Sequence, residues 1–82
     1  MNELKTFQNP KFGTIRTTTI NGEPWFVAVD VCKALEIQNH KDAIGRLDED
    51  EKTGVDLTDP HGRVQNTNCV NEPGLYALVL GS

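Results

Sequence analysis

The chain has 82 residues, of which 37% are hydrophobic and 24% charged, and a formal net charge of −4. That length holds one small domain, burying roughly 60% of the surface its unfolded chain exposes. No apolar run approaches the ~18 residues that cross a bilayer, which excludes a membrane span. Met1-Asn2-Glu3-Leu4-Lys5 lacks the basic start and apolar stretch of a signal peptide. Cys32 and Cys69 are too few for a disulfide framework, so the expectation is a cytoplasmic chain with free thiols.

The first ten residues are polar and end in Asn9-Pro10, which predicts a short lead-in or an edge strand. Phe12 to Ile20 is rich in β-branched residues and predicts a strand. Asn21-Gly22 tolerates the positive φ angles of a type I′ turn, so Trp25 to Val29 should return as the second arm of a hairpin. That arm is apolar on both faces and needs cover on each side. Pro24 fits its start, where no ladder donor is required.

Asp30 then reads as an N-cap, and Val31, Ala34 and Leu35 fall at helical spacing, ending near Glu36 or Ile37. Asn39 is a second N-cap with Asp42 three residues on, as in a capping box. Ala43, Ile44 and Leu47 form the inner face of that second short helix, which should stop near Leu47 because four acids follow. Val55 to Thr58, a turn at Asp59-Pro60-His61-Gly62, and Val64 to Val70 predict a second hairpin whose polar second arm leaves its register open. Asn71 caps a last helix with Glu72 and Pro73 in its first turn, running on from Gly74 to Leu80 and apolar around most of its circumference. The expected fold class is therefore α+β: a β-hairpin, two short helices in helix-turn-helix style, a second β-hairpin and a C-terminal helix, in a single small domain.

Charge distribution matters more than its sum. Asp48 to Asp59 holds six acids (Asp48, Glu49, Asp50, Glu51, Asp56, Asp59) and one base, Lys52, a balance of −5. The rest carries six acids and seven bases, or +1. A nearly neutral body can still present a local basic surface. The two short helices suggest where: in a helix-turn-helix pair the second helix leans into the major groove. Cys32 supplies the small residue in the first helix and Ile37 the apolar anchor past the turn, while Glu36 stands where glycine usually eases the bend. Gln38, Asn39, His40 and Lys41 are then the candidates for base edges. Lys33, Arg46 and Arg63 are the candidates for phosphates. The run Asp48, Glu49, Asp50 and Glu51 reads as a solvated loop, or as a patch for a basic protein partner.

Enzymatic chemistry finds no support. Cys32, His40, His61 and Cys69 have no zinc-module spacing. There is no nucleophile elbow and no glycine-rich phosphate loop. No catalytic residue, metal or cofactor is expected.

Several segments together resemble one family. Gly22-Glu23-Pro24-Trp25-Phe26-Val27-Ala28 and Asp30-Val31-Cys32 with Ala34-Leu35 are similar to the N-terminal BRO domain of prophage antirepressors and baculovirus repeated-ORF proteins. Asn39, Ala43, Leu47-Asp48, Asp50-Glu51-Lys52, Asn71-Glu72 and Gly74-Leu75-Tyr76 continue the likeness in order, from about Phe7 to Ser82. Glu36 departs from it, since the family usually has glycine there. The resemblance implies a module that binds double-stranded DNA, the N-terminal part of a longer phage-type regulator in a bacterial host. Two other roles stay open: capture of a phage repressor without DNA contact, and homo-oligomerisation through the apolar last helix.

Overall fold

The structure is a computed structural model, and it describes residues 5–10, 13–59 and 61–81. One five-stranded antiparallel sheet carries the fold, in the order β1 (Lys5–Asn9), β2 (Gly13–Ile20), β3 (Glu23–Val27), β5 (Val64–Val70), β4 (Lys52–Thr58). Three α-helices join it: α1 (Ala28–Ala34), α2 (His40–Gly45) and α3 (Glu72–Gly81). The α+β class and the element order are as the sequence predicts. Phe12 and Pro60 lie outside the described residues.

Asn21 and Gly22 both have positive φ, 52° and 80°, so the β2–β3 turn is the type I′ expected. The lead-in is an edge strand, pairing Lys5 with Thr17 through Asn9 with Gly13. The register of the second hairpin is also resolved, from Lys52 opposite Val70 to Thr58 opposite Val64. Its tip is an Asx turn: the Asp59 carboxylate accepts the N–H groups of His61 and Arg63. In the sheet the two hairpins are joined by the pairing of β3 with β5, Phe26 opposite Val70 and Val27 opposite Cys69.

That junction divides the core in two. On one face Ile15, Ala28, Val31, Cys32, Leu47, Val70 and Leu78 pack together, with Phe26 against them. On the other Trp25, Val27, Val55, Leu57 and Cys69 form a cluster drawn entirely from strands. The alternation of Trp25, Phe26 and Val27 thus covers both faces, as the apolar run requires. The two cysteines are free, buried and in separate clusters. Burial raises both thiols, Cys69 to about 11, which leaves them protonated and unreactive at neutral pH.

Two sequence assignments are corrected here. The second arm ends at Val27 and α1 begins at Ala28, so Ala28 and Val29 are helical instead of extended, and Asp30 is not an N-cap. Asp30 instead lies in the first turn of α1 and accepts three hydrogen bonds from Arg16: from its backbone N–H (2.9 Å), Nε (2.8 Å) and Nη2 (3.0 Å). The β2–β3 ladder stops at Thr17 opposite Phe26, and the carboxylate takes the next amide in the row. Burial alone would raise the Asp30 pKa, but the Arg16 hydrogen bonds and the Arg16 and Lys33 charges together lower it below its ordinary value. A depressed carboxylate stabilises the fold above its unfolded pKa, near 3.9, and loses that contribution as pH falls through the lower folded value. Asp30→Asn should therefore cost about 1–2 kcal/mol at pH 7, discounted for the half-exposed Arg16, and progressively less as pH falls below the unfolded carboxylate pKa. Urea unfolding across a series of pH values measures this.

The second correction concerns the caps around α2. Asn39 occupies the N-cap position but makes no side-chain cap bond, and Asp42 pairs with Arg46 (2.6 Å) instead of completing a box. The reciprocal arm of a capping box sits one element later. Glu51 Oε1 accepts the Asp48 N–H (2.9 Å), and within the solvated acidic segment residues Glu49–Glu51 form a 3-10 turn. α2 itself ends at Gly45, two residues before the expected stop.

Glu36 is the strained point of the helix pair, with φ of 60°. The Ile37 N–H reaches the Cys32 carbonyl (2.8 Å) and the Glu36 N–H the Lys33 carbonyl (3.1 Å), the two bonds of a Schellman motif. Its left-handed position wants glycine. Glu36→Gly should raise stability by about 0.5–1 kcal/mol, since relief of the left-handed strain exceeds the added unfolded-state entropy. A rise in the urea midpoint with an unchanged m-value checks it.

Candidate nucleic-acid interface

α2 is short, exposed and placed between the sheet and the end of α3, and its two flanks differ in character. On the sheet side His40, Lys41, Ile44 and Gly45 meet Val29, Lys52 and Asn68 around a depression of about 490 Å³. Three basic side chains line it and no carboxylate does. Lys41 is exposed and His40 half-buried. The Lys52 ammonium is drawn toward the end of α2 by the Ile44 carbonyl, 3.5 Å away. That contact fixes a lysine of β4 beside the helix.

On the α3 side Gln38, Asn39, Asp42, Ala43 and Arg46 face Ala77, Leu78 and Gly81 across a groove of about 400 Å³. Here the Arg46 charge is cancelled locally by Asp42. The four polar residues expected to act together at the start of α2 are thus split, Gln38 and Asn39 on one flank, His40 and Lys41 on the other. Lys33 is exposed on the last turn of α1 and lines neither depression; Arg63 is exposed at the tip of the β4–β5 hairpin. The seven residues of β4 carry the chain from Lys52 to that tip, about 20 Å at 3.3 Å per residue.

Two residues of the sheet-side pocket escaped sequence reasoning. Lys52 looked like the lone base of an acidic run, and Asn68 like part of a featureless polar arm. Only the β4–β5 register, which starts with Lys52 opposite Val70 and continues to Gly54 opposite Asn68, brings them to the helix. No periodicity signal could have found them. Of the acidic segment, Asp48, Glu49 and Asp50 are exposed, while Glu51 is half-buried and turned back on its own chain.

Among the described residues no helix is long and apolar enough to cross a membrane, and no group of three or more His, Cys, Asp or Glu side chains is placed to hold a metal ion. No curated protein and no solved structure shows significant similarity to the chain. The model of the BRO family N-terminal domain matches residues 14–82, nearly the whole chain, and the expected kinship is thereby shown. The protein belongs to the BRO family, as a match to that family's N-terminal domain.

Proposed function

We propose that this domain binds duplex DNA and serves as the DNA-binding module of a phage antirepressor-type transcriptional regulator. The observation that carries the reading is the pocket of His40, Lys41 and Lys52, basic and free of carboxylates in a chain whose net charge is −4. Two lysines and a histidine around a depression with no carboxylate in its lining offer a phosphate backbone cations and a hydrogen-bond donor. BRO membership supports the same reading. Phosphate contacts displace counterions, so affinity falls steeply with salt. Fluorescence anisotropy with a labelled duplex at low salt is the test: saturable binding that weakens as salt rises is expected, and no binding at any salt would overturn it.

A second reading rests on the exposed acids Asp48, Glu49 and Asp50, which suit a basic face on a repressor. Co-purification of such a repressor from nuclease-treated lysate, lost on replacing those three residues with their amides, would favour protein capture.

A further inference from the structure

Through Asn68 the pocket beside α2 adjoins the helix-bearing face of the β4–β5 hairpin, the face on which Val70 packs. Asn68 lines the pocket, and Asn66 follows two residues along the same strand face. Both are exposed. Opposite them stand Gly54 and Asp56, and the Gly54 side of the ribbon is bare except for the Asn66 amide folded across it: a Cβ there would lie 2.7 Å from Asn66 Oδ1. The Asn66 Nδ2 donates to Asp56 Oδ1 (3.1 Å), which orients the amide and engages one oxygen of that carboxylate. The other acid of the hairpin, Asp59, turns one oxygen inward to the N–H groups of the tip. Beyond the amides the tip presents Arg63.

We propose that this ribbon face, with Asn66 and Asn68, enters the DNA major groove and reads base edges, while Lys41 and Lys52 at one end and Arg63 at the other hold phosphates. The inference rests on the DNA-binding reading above and adds to it the element that confers sequence preference. Three features of the face suit a duplex. A two-stranded ribbon fits the major groove, and asparagine pairs with the N6 and N7 edge of adenine. Alternate strand residues stand about 6.7 Å apart, close to two base steps at ~3.4 Å. Gly54 adds no side chain of its own opposite Asn68, and the Asn66 amide resting across it is exposed and can swing out to a base edge. The arrangement also gives Arg63, remote from α2, a place on the same surface.

The test is selection of a preferred site from a randomised duplex library with the wild-type chain. Affinities for that site and a scrambled duplex are then compared for wild type, Asn66→Ala/Asn68→Ala and Lys41→Gln. The expected result is an adenine preference at positions two steps apart. The double asparagine variant should lose about tenfold or more of its discrimination with an unchanged salt slope. Lys41→Gln should weaken both duplexes equally. Both amides are exposed, and a wild-type circular dichroism spectrum and urea midpoint confirm the fold of each variant. Retained discrimination in the double asparagine variant would overturn the ribbon reading and leave DNA binding intact. A wild-type chain that binds no duplex would overturn both.

Discussion

Gly74→Ala is expected to destabilise the domain by about 1–3 kcal/mol, although alanine is the better helix former by about 1 kcal/mol. Gly74 lies buried in the first turn of α3, and a Cβ built on it would stand 2.7 Å from the Glu51 carbonyl oxygen and 3.1 Å from the Val70 Cβ. The nearest obstacle is backbone, so a rotamer change cannot relieve it. Asn71 locks the same junction. Its Oδ1 accepts the Gly74 N–H (3.0 Å), its Nδ2 donates to the Asp50 carbonyl (2.9 Å), and its backbone N–H donates to the Glu51 carbonyl (3.2 Å). Asn71→Ala removes a cap and a tether, about 2 kcal/mol together. A domain of this size holds only about 4–12 kcal/mol in all, so either change should move the urea midpoint visibly. Both substitutions act on one contact, so the double variant should cost less than the sum of the singles. Strict additivity would show that α3 is not held to the 3-10 turn by this clasp.

The second large effect is on binding. Lys41→Glu/Lys52→Glu places two carboxylates in a pocket that now has none. About 1.4 kcal/mol for each reversed charge corresponds to roughly 100-fold weaker duplex binding. Loss of two phosphate contacts should also flatten the dependence of log K on log salt by about two. Arg46→Glu is the informative control. Arg46 is already paired with Asp42 on the opposite flank of α2, so its reversal should weaken binding far less than the lysine pair. Equal effects from the two variants would spread the phosphate surface around the whole helix. Anisotropy titrations across a salt series measure all three proteins.

What the sequence discloses about this fold is mostly what local chemistry decides. Asn21-Gly22 names its turn, the β-branched run from Phe12 to Ile20 names a strand found at Gly13–Ile20 among the described residues, and Asn71 before Glu72-Pro73 names a helix start that stands where expected. The failures come where a tertiary partner outcompetes a local signal. Asp30 has the chemistry of an N-cap, but Arg16, fourteen residues back on β2, claims its carboxylate. Asp42 has the position of a capping-box acid, but Arg46 one turn later claims that one. Glu36 is the reverse case. The sequence marks it as the wrong residue for the bend, and the backbone adopts the left-handed conformation there regardless.

The site was legible in part for the same reason. His40 and Lys41 are next to each other in the chain, so reading α2 as an exposed helix was enough to find them. Lys52 and Asn68 reach the pocket only because two strands pair in one particular register. The net charge misled because a sum over the chain does not show that Lys52, counted within the acidic run, folds in beside Lys41.

The most direct measurement is the salt dependence of wild-type duplex binding beside that of Lys41→Glu/Lys52→Glu. A log–log slope steeper than about −2 for wild type, reduced by about two in the variant, is the outcome this geometry requires. Duplex affinity that is absent, or that holds the same slope when both lysines are reversed, would contradict the assignment of the α2 pocket to DNA.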